Sequence, residues 1–211
     1  MTTIAPRAPL TRERILEGAL DYIDEHGLAA LSMHKLGAVL GVKGMSLYNH
    51  VTSKDDLLDG VLELLWSDIE AASPVSESWL DSARELARSM RAVVVAHPNA
   101  APLITSRPFM PTAALRVVQA HISNAVNAGI AEERAYIVLQ TLTTYALGSA
   151  FAEVSWGTGD PTRPVKQLLR PGTPEDLVGV AEVFCRQADP SAMFEFGLAS
   201  MLRGLDGASC S

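Results

Sequence analysis

The sequence predicts an all-α fold, in which a short three-helix unit at the N-terminus is followed by a larger helical domain. Apolar residues recur at three- and four-residue spacing through most of the 211 residues, whereas the two-residue alternation of a strand is hard to find. Glycines and prolines divide this pattern into segments of helical length. Apolar residues make up 48% of the chain and charged residues 19%, which supports a packed core and excludes a disordered chain.

The first 72 residues contain four predicted helices. Thr11 and Ser32 are residue types preferred at helix N-caps, and Gly27 and Gly41 follow the ends of the two helices that they begin. Ser53 opens a capping-box pattern at the start of a longer helix. The predicted segments are a flexible arm over residues 1–10 and helices over 11–26, 32–40, 43–49 and 53–72.

Pro74 separates these helices from a longer helical region. Residues 98–111 contain four prolines and are predicted to be irregular or broken into short turns. Residues 157–174 collect three glycines and four prolines, which predicts an exposed, mobile loop. The helices predicted in this region are 78–97, 112–128, 131–156, 174–187 and 190–205, before a tail over 206–211.

One stretch raises the question of a membrane span. Between Arg134 and Glu153 lie 18 residues without a charge, close to spanning length. Gly148 and several polar residues interrupt the stretch and no basic cluster marks its ends, so a buried helix explains it better. No apolar segment follows the basic residues near the N-terminus, and two cysteines are too few for a disulfide framework or a metal site. We therefore expect a cytoplasmic protein with no membrane partner, metal or cofactor.

The charge distribution predicts one basic face on an acidic protein. The net charge of −7 argues against a nucleic-acid binder that uses its whole surface. From Ser32 to Lys54, however, there are three lysines, two histidines and no acidic residue. Such a local patch allows one face to approach phosphate while the rest of the surface repels it.

The segment LSMHKLGAVLGVKGMSLYNHV, residues 31–51, has the pattern of a helix-turn-helix. Its apolar positions hold two short helices across each other, and Gly41 fits the tight turn between them. The second helix presents short polar and basic side chains that suit a DNA major groove. In this interpretation Gly44 lets the helix approach DNA closely, and Met45 meets a thymine methyl group. The alternative is an ordinary helical hairpin with solvated lysines.

Residues typical of one family of regulators occur along most of the chain. In the N-terminal region they are Gly27-Leu28, Lys35-Leu36, Leu40-Gly41-Val42, Leu47-Tyr48, His50-Val51, Lys54 and Leu57-Leu58. Farther along they are Ser78-Trp79, His97, Arg107-Pro108, Gly129, Leu147-Gly148 and Phe196-Gly197-Leu198. On these residues the chain resembles the TetR (tetracycline repressor) family, in particular its tetracycline-repressor C-terminal-domain subgroup. The resemblance implies a DNA-binding domain over 11–52, a linking helix over 53–72, and a ligand-binding and dimerisation domain over 73–205.

The resemblance also implies which side chains contact DNA. Those near base edges are Lys43, Gly44, Met45, Ser46 and Asn49, and those near phosphates are Tyr48, His50 and Lys54. His34 stands where the tetracycline repressor has an arginine that reads a base, and Lys35 lies beside it. Because histidine is shorter and mostly neutral at pH 7, the operator is expected to differ from the tetracycline one. Surface solvation is the alternative for each of these residues.

For the ligand site, the resemblance implies a pocket in the larger domain, but this chain departs from the drug-binding pattern. Leu86, Leu103 and Ala152 stand where tetracycline repressors have polar or metal-binding side chains, so a magnesium–tetracycline inducer is not expected. What remains is a mostly apolar candidate pocket with one polar group, His121, and with Arg107 at a hinge-like region. Its members are Leu86, Met90, Leu103, Arg107, Val118, His121, Tyr136, Leu139 and Phe151. An ordinary filled core is the alternative.

These observations together predict a ligand-responsive regulator, a homodimeric repressor released from a palindromic DNA operator by a small, largely apolar inducer. The dimer is expected to form through the helices near 131–156 and 190–205. The inducer is expected to change the distance between the two DNA-binding domains of the dimer. An enzyme is not expected, because no nucleophile–base pair, paired carboxylates or metal-ligand spacing is found. An architectural DNA binder without a ligand cavity is the second alternative.

Overall fold

The computed structural model of the chain describes residues 9–156, 165–186 and 189–207, and every regular element within these ranges is helical. The all-α prediction is confirmed for this part of the chain. Most of the predicted 1–10 arm, the first half of the predicted 157–174 loop and most of the 206–211 tail lie outside the described residues. The helices are α1 (Arg12–His26), α2 (Met33–Leu40), α3 (Gly44–Leu47), α4 (Lys54–Ala72), α5 (Trp79–Ala96), α6 (Pro102–Ser106), α7 (Thr112–Asn127), α8 (Glu132–Trp156), α9 (Glu175–Arg186) and α10 (Pro190–Gly207), with 3-10 turns at Leu28–Ala30 and Val165–Leu168.

The predicted N-caps are present. The hydroxyl of Thr11 accepts a hydrogen bond from the third residue of α1, and the hydroxyl of Ser32 accepts one from the third residue of α2, each at 3.3 Å. The hydroxyl of Ser53 accepts from the amide of Asp56 at 3.0 Å. These bonds satisfy N–H groups that have no partner inside their helices, which fixes where each helix begins.

Helix α3 is shorter than the predicted 43–49 helix. The amides of residues 48–50 bond to carbonyls three residues back rather than four, so α-helical geometry ends at Leu47 and continues as a turn. The predicted contact residues Tyr48, Asn49 and His50 therefore lie in this turn and not on the helix itself.

The chain folds into two compact units. The first contains the residues up to Asp68 together with His97–Leu115, which we call the returning segment. The second contains Ile69–Ala96 and the residues from Arg116 onward. The chain therefore enters the first unit twice, and α4 and α7 each begin in the first unit and end in the second. Fully buried side chains in the first unit include Ile15, Ile23, Leu36, Leu47, Leu57 and Leu65.

Polar side-chain contacts attach the returning segment to α1 and α4. His97 Nδ1 lies 2.6 Å from Asp24 Oδ2, near the end of α1. Arg107 pairs with Asp55 and Asp59 in the first turns of α4, with an Nη1–Oδ1 distance of 3.0 Å to Asp55. These contacts join residues more than 45 positions apart in the chain, which is why sequence periodicity did not show them.

A third link uses the N-terminus of α7. The carboxylate of Glu63 on α4 accepts hydrogen bonds of 2.8 Å from the backbone N–H groups of Thr112 and Ala113. The N–H groups of a first helical turn have no partner within the helix and carry partial positive charge, so a carboxylate is favourable there. Glu63 thus caps α7 from a different helix.

In the second unit, α5 packs along α8, and α10 packs on both. Helix α8 contains the uncharged stretch noted in the sequence, and no helix of the described residues is long and apolar enough to cross a membrane. Glu195 on α10 forms two hydrogen bonds, of 2.8 and 2.7 Å, with Arg88 on α5. A Cβ at Gly197 would collide with the hydroxyl of Tyr145. The missing side chain of Gly197 on α10 therefore leaves room for the ring of Tyr145 on α8 within one subunit.

Candidate nucleic-acid interface

Buried leucines and a left-handed turn hold α2 and α3 across each other. Leu36 on α2 and Leu47 on α3 are completely buried. Gly41 ends α2 with φ 71° and ψ 30°, a conformation that a side chain disfavours. The amide of Val42 then donates a 2.8 Å hydrogen bond to the carbonyl of Gly37 and closes the turn. The predicted helix-turn-helix is present.

Two glycines allow α2 and α3 to touch. A Cβ at Gly37 would lie 2.8 Å from the amide nitrogen of Gly44, and a Cβ at Gly44 would lie 3.0 Å from the carbonyl oxygen of Met33. All of these neighbours are backbone atoms, which have no freedom to move aside. Gly44 is therefore required by the packing of α3 on α2, a role that the sequence interpretation, which assigned it to close approach of DNA, did not include.

One side of this motif presents the predicted base-contacting side chains to solvent. Met45 is 76% exposed and Tyr48 is 44% exposed. Lys43 and Asn49 are exposed as well, while Ser46 and His50 are half-buried. His34 and Lys35 are exposed on the first turn of α2. Because residues 32–54 contain no carboxylate, this surface has no acidic side chain of its own to repel phosphate.

An open groove with a volume of about 570 Å³ lies along the same surface. Its walls are mostly apolar, and they come from the start of α2, the turn after it, and α3. The apolar contributors are Met33, Ala38, Val42, Met45 and Tyr48, and the polar ones are His34 and Lys43. We call this feature the α2–α3 groove.

Two of the predicted contact lysines also hold the backbone before α2. The ammonium of Lys54 donates to the carbonyl of Leu31 at 2.7 Å, and that of Lys35 donates to the carbonyl of Ala30 at 3.2 Å. An ammonium has three donors, so each lysine keeps donors for phosphate. The bonds direct both charges to the same end of α2.

A network around Arg12 and Asp56 fixes the turn that follows α3. Arg12, the first residue of α1, donates to both carboxylate oxygens of Asp56 at 2.5 and 3.1 Å and to the carbonyl of His50 at 2.9 Å. Asp56 also accepts a 2.7 Å hydrogen bond from the amide of Thr52. We call this network the Arg12–Asp56 clamp. It joins the first turns of α1 and α4 to the predicted phosphate-contacting turn.

The clamp changes the acidity of Asp56, and sequence reasoning missed it. Hydrogen bonds from the Arg12 guanidinium, and then from the amide of Thr52, lower the pKa of Asp56 from 3.8 to about 2. In the sequence, Asp56 is only the acidic member of the capping-box pattern that begins at Ser53. The sequence does show a basic residue, Arg12, in the first turn of α1 and an acidic residue, Asp56, in the first turn of α4. Only the fold shows that these two turns meet.

The candidate ligand residues are divided between the two units. Leu103, which is buried, and Arg107 belong to the first unit. In the second unit most of the candidates are withdrawn from solvent: Leu86, Met90, His121 and Leu139 are buried, Val118 and Phe151 are half-buried, and Tyr136 is about half exposed. Their contact with a ligand stays a prediction. Within the described ranges, no three His, Cys, Asp or Glu side chains are grouped so that they could hold a metal ion.

His121 on α7 is buried to 96%. Its Nδ1 lies 2.9 Å from the carbonyl of Val117 one turn back, and its Nε2 is buried with no hydrogen-bond partner among the described residues. Burial lowers the pKa of His121, against smaller opposing effects of the Val117 and Ser82 backbones. An imidazole that donates from Nδ1 has an acceptor at Nε2.

Lowering the pH is expected to destabilise the second unit through His121. The pKa of His121 in the folded chain lies below the ordinary 6.5. As the pH falls below about 6.5, the imidazole therefore takes up a proton in the unfolded chain before it does so in the folded chain, and the free energy of unfolding falls. Urea unfolding at pH 7.5 and 5.5 measures the loss, and His121→Gln is expected to reduce it. His26→Gln, which changes an exposed histidine of α1, is the control. Equal pH dependence in the wild type and His121→Gln would contradict the prediction.

Comparisons with known proteins agree with this geometry. A family model described as "Bacterial regulatory proteins, tetR family" matches residues 15–61. A second model, described as "Tetracyclin repressor-like, C-terminal domain", matches residues 73–208. Together they cover the helix-turn-helix and most of the second unit.

Similar individual proteins are also regulators by name. An HTH-type transcriptional regulator of Saccharopolyspora erythraea is 31% identical over 70% of this chain and 62% of its own length. The class E tetracycline repressor protein of Escherichia coli is 28% identical over 93% of this chain and 91% of its own length. The crystal structure of Streptomyces coelicolor ActR in complex with actinorhodin has a TM-score of 0.74 and 28% identity, over 97% of this chain and all of that one. The chain spans only about three fifths of the length of the first curated relatives it matches.

Proposed function

Because the chain belongs to the TetR family of bacterial regulatory proteins, we propose that it is a transcriptional repressor that leaves its DNA operator when a small molecule binds. The observation that carries the DNA-binding part is the acid-free surface of α2 and α3. Exposed Lys43, Met45, Tyr48 and Asn49 lie together there, and the Arg12–Asp56 clamp fixes the turn beside them. This combination suits base edges flanked by phosphates.

We propose that the protein acts as a homodimer on a palindromic operator. Apolar side chains remain exposed on the two helices that the sequence assigned to the interface: Tyr136 and Ile137 on α8, and Met193 and Phe196 on α10. Burial of such side chains against the same surface of a second copy is the usual solution in a two-fold dimer. A two-fold dimer reads two inverted half-sites, centred about one helical turn apart or a multiple of it.

Phe196→Glu is expected to convert the dimer into a monomer. Phe196 is 74% exposed in the single chain, so the substitution leaves the fold of the subunit intact while it places a charge in the proposed apolar interface. Light scattering at micromolar concentration measures the mass. Val126→Glu, which changes another exposed apolar residue, on α7, is the matched control and is expected to stay dimeric. An unchanged dimer for Phe196→Glu would contradict this assignment.

We propose a small, largely apolar inducer rather than magnesium–tetracycline. In the second unit the candidate residues Leu86, Met90 and Leu139 are buried apolar side chains, and His121, whose pKa is lowered by burial, is a buried polar member. The relative ActR was crystallised with actinorhodin, which supports a small-molecule effector for the wider group. In this proposal the inducer changes the distance between the DNA-binding domains of the two subunits. The dimer can then no longer contact both half-sites of the operator at the same time.

Selection from random-sequence duplex DNA tests the proposed function. The purified protein is expected to enrich sequences that share a short inverted repeat, and magnesium with tetracycline is expected not to release them. A variant with Lys43 and Asn49 both changed to alanine is expected to enrich no motif. Its control carries the same change at Asn127 and Arg170, exposed residues of the second unit. Enrichment of no common sequence by the wild type would overturn the proposal.

A further inference from the structure

We propose that the protein recognises thymine in each operator half-site through the C5 methyl group, with the thioether side chain of Met45 as the reading group. The inference rests on the proposed function and adds the base that is read and the atom that is contacted. It is carried by the position of Met45 on α3 and by the α2–α3 groove beside it.

Helix α3 has only one long side chain to present to DNA. Of its four residues, Gly44 has no side chain and is packed against α2, and Leu47 is completely buried in the core. Ser46 is short and half-buried. Met45 is 76% exposed, so its unbranched side chain is what this helix extends outward.

The surroundings of Met45 are mostly apolar as well, although His34 and Lys43 also line the groove. The α2–α3 groove continues from Met45 along Met33, Ala38 and Val42 to the ring of Tyr48. None of these groups donates or accepts a strong hydrogen bond, except for the phenolic hydroxyl of Tyr48. An exposed apolar surface of this kind marks a contact with an apolar group of a partner.

Among the four bases, thymine alone presents an apolar group in the major groove. Guanine, cytosine and adenine present hydrogen-bond acceptors and donors there, whereas thymine adds a methyl group at C5. A thioether has no donor and is only a weak acceptor, so it gains little from the other three bases. Contact with the methyl group removes apolar surface of both partners from water.

Replacement of thymine by deoxyuridine tests the contact, because it removes the methyl group and leaves base pairing intact. The probe is a synthetic duplex with the operator selected by the protein, in which thymines are changed one at a time. At the contacted position in one half-site, the affinity of the wild type is expected to fall about fourfold, which corresponds to the loss of one buried methyl-sized group. When the thymine is replaced in both half-sites, the affinity is expected to fall about sixteenfold. Deoxyuridine outside the inverted repeat is the control.

Met45→Ala identifies the protein side of the contact. This variant is expected to bind the thymine and deoxyuridine operators equally, whereas Met45→Leu keeps most of the discrimination. Val39→Ala, which removes an exposed apolar side chain of α2 that does not line the groove, is expected to discriminate as the wild type does. Because Met45 is exposed, its truncation leaves the fold intact, which circular dichroism checks.

The outcomes separate the two proposals. If no operator is selected, the proposed function itself fails. If an operator is selected but deoxyuridine has no effect at any position, or if the effect persists unchanged in Met45→Ala, the methyl-reading inference is overturned while the repressor proposal stands.

Discussion

Gly37→Ala is expected to destabilise the first unit by about 1–3 kcal/mol and to weaken operator binding by roughly tenfold or more. The added Cβ would lie 2.8 Å from the amide nitrogen and 2.9 Å from the Cα of Gly44, and 3.0 Å from the carbonyl oxygen of Val42. Since all three are backbone atoms, α3 has to move away from α2. That movement displaces Met45 and the turn after it relative to the rest of the reading surface.

Urea unfolding and DNA titration measure the two effects of Gly37→Ala. The matched control is Gly179→Ala on α9, where an added Cβ meets no atom of the described residues within 4 Å. An alanine in an exposed helix is better than a glycine by about 0.5–1 kcal/mol, so this control is expected to stabilise slightly. A Gly37→Ala protein with wild-type stability and operator affinity would show that α2 and α3 need no such close approach.

Asp56→Asn is expected to destabilise the first unit by about 1–2 kcal/mol at pH 7. The change in the pKa of Asp56 from 3.8 to about 2 corresponds to somewhat more than this, but partial exposure of both side chains of the clamp reduces the effect. The loss is accompanied by weaker DNA binding, because the turn that carries His50 and Thr52 is no longer held against α1 and α4.

The pH dependence distinguishes the clamp from simple packing. The pKa of Asp56 is lower in the folded chain than in the unfolded one, so its stabilisation is fully present above about pH 4 and is lost as the pH falls from there toward 2. In Asp56→Asn this acid-dependent part is absent. Unfolding free energies at pH 7, 5, 4 and 3 give the comparison, with Asp21→Asn, an exposed carboxyl of α1, as the control. Parallel curves for the wild type and Asp56→Asn would rule out the clamp as a charge effect.

The sequence was sufficient to predict the elements that local chemistry determines. N-cap side chains at Thr11, Ser32 and Ser53 and the glycine after α2 gave the helix boundaries around the DNA-reading motif to within a few residues. Helix α3 was predicted too long: the amides of residues 48–50 bond to carbonyls three residues back, between the buried Leu47 and Val51, and no single residue in the sequence marks that change.

Contacts between distant residues were not predictable from one sequence. The Arg12–Asp56 clamp and the pairing of His97 with Asp24 join residues 44 and 73 positions apart, and neither pair has a spacing rule. The candidate ligand residues are a similar case. Apolar periodicity indicates that Leu86, Met90 and Leu139 are buried, but the same pattern fits a filled core and a binding cavity equally well.

The returning segment has a consequence for how the protein is made. Two carboxylates of α4 have partners in the returning segment: Asp55 pairs with Arg107, and Glu63 accepts from the backbone at the start of α7. During translation those partners are synthesised about 50 residues later than α4, after the whole of α5. An expressed fragment that stops after α4 therefore leaves these carboxylates without their partners, and the shortest fragment that supplies every contact of the first unit extends through residue 115.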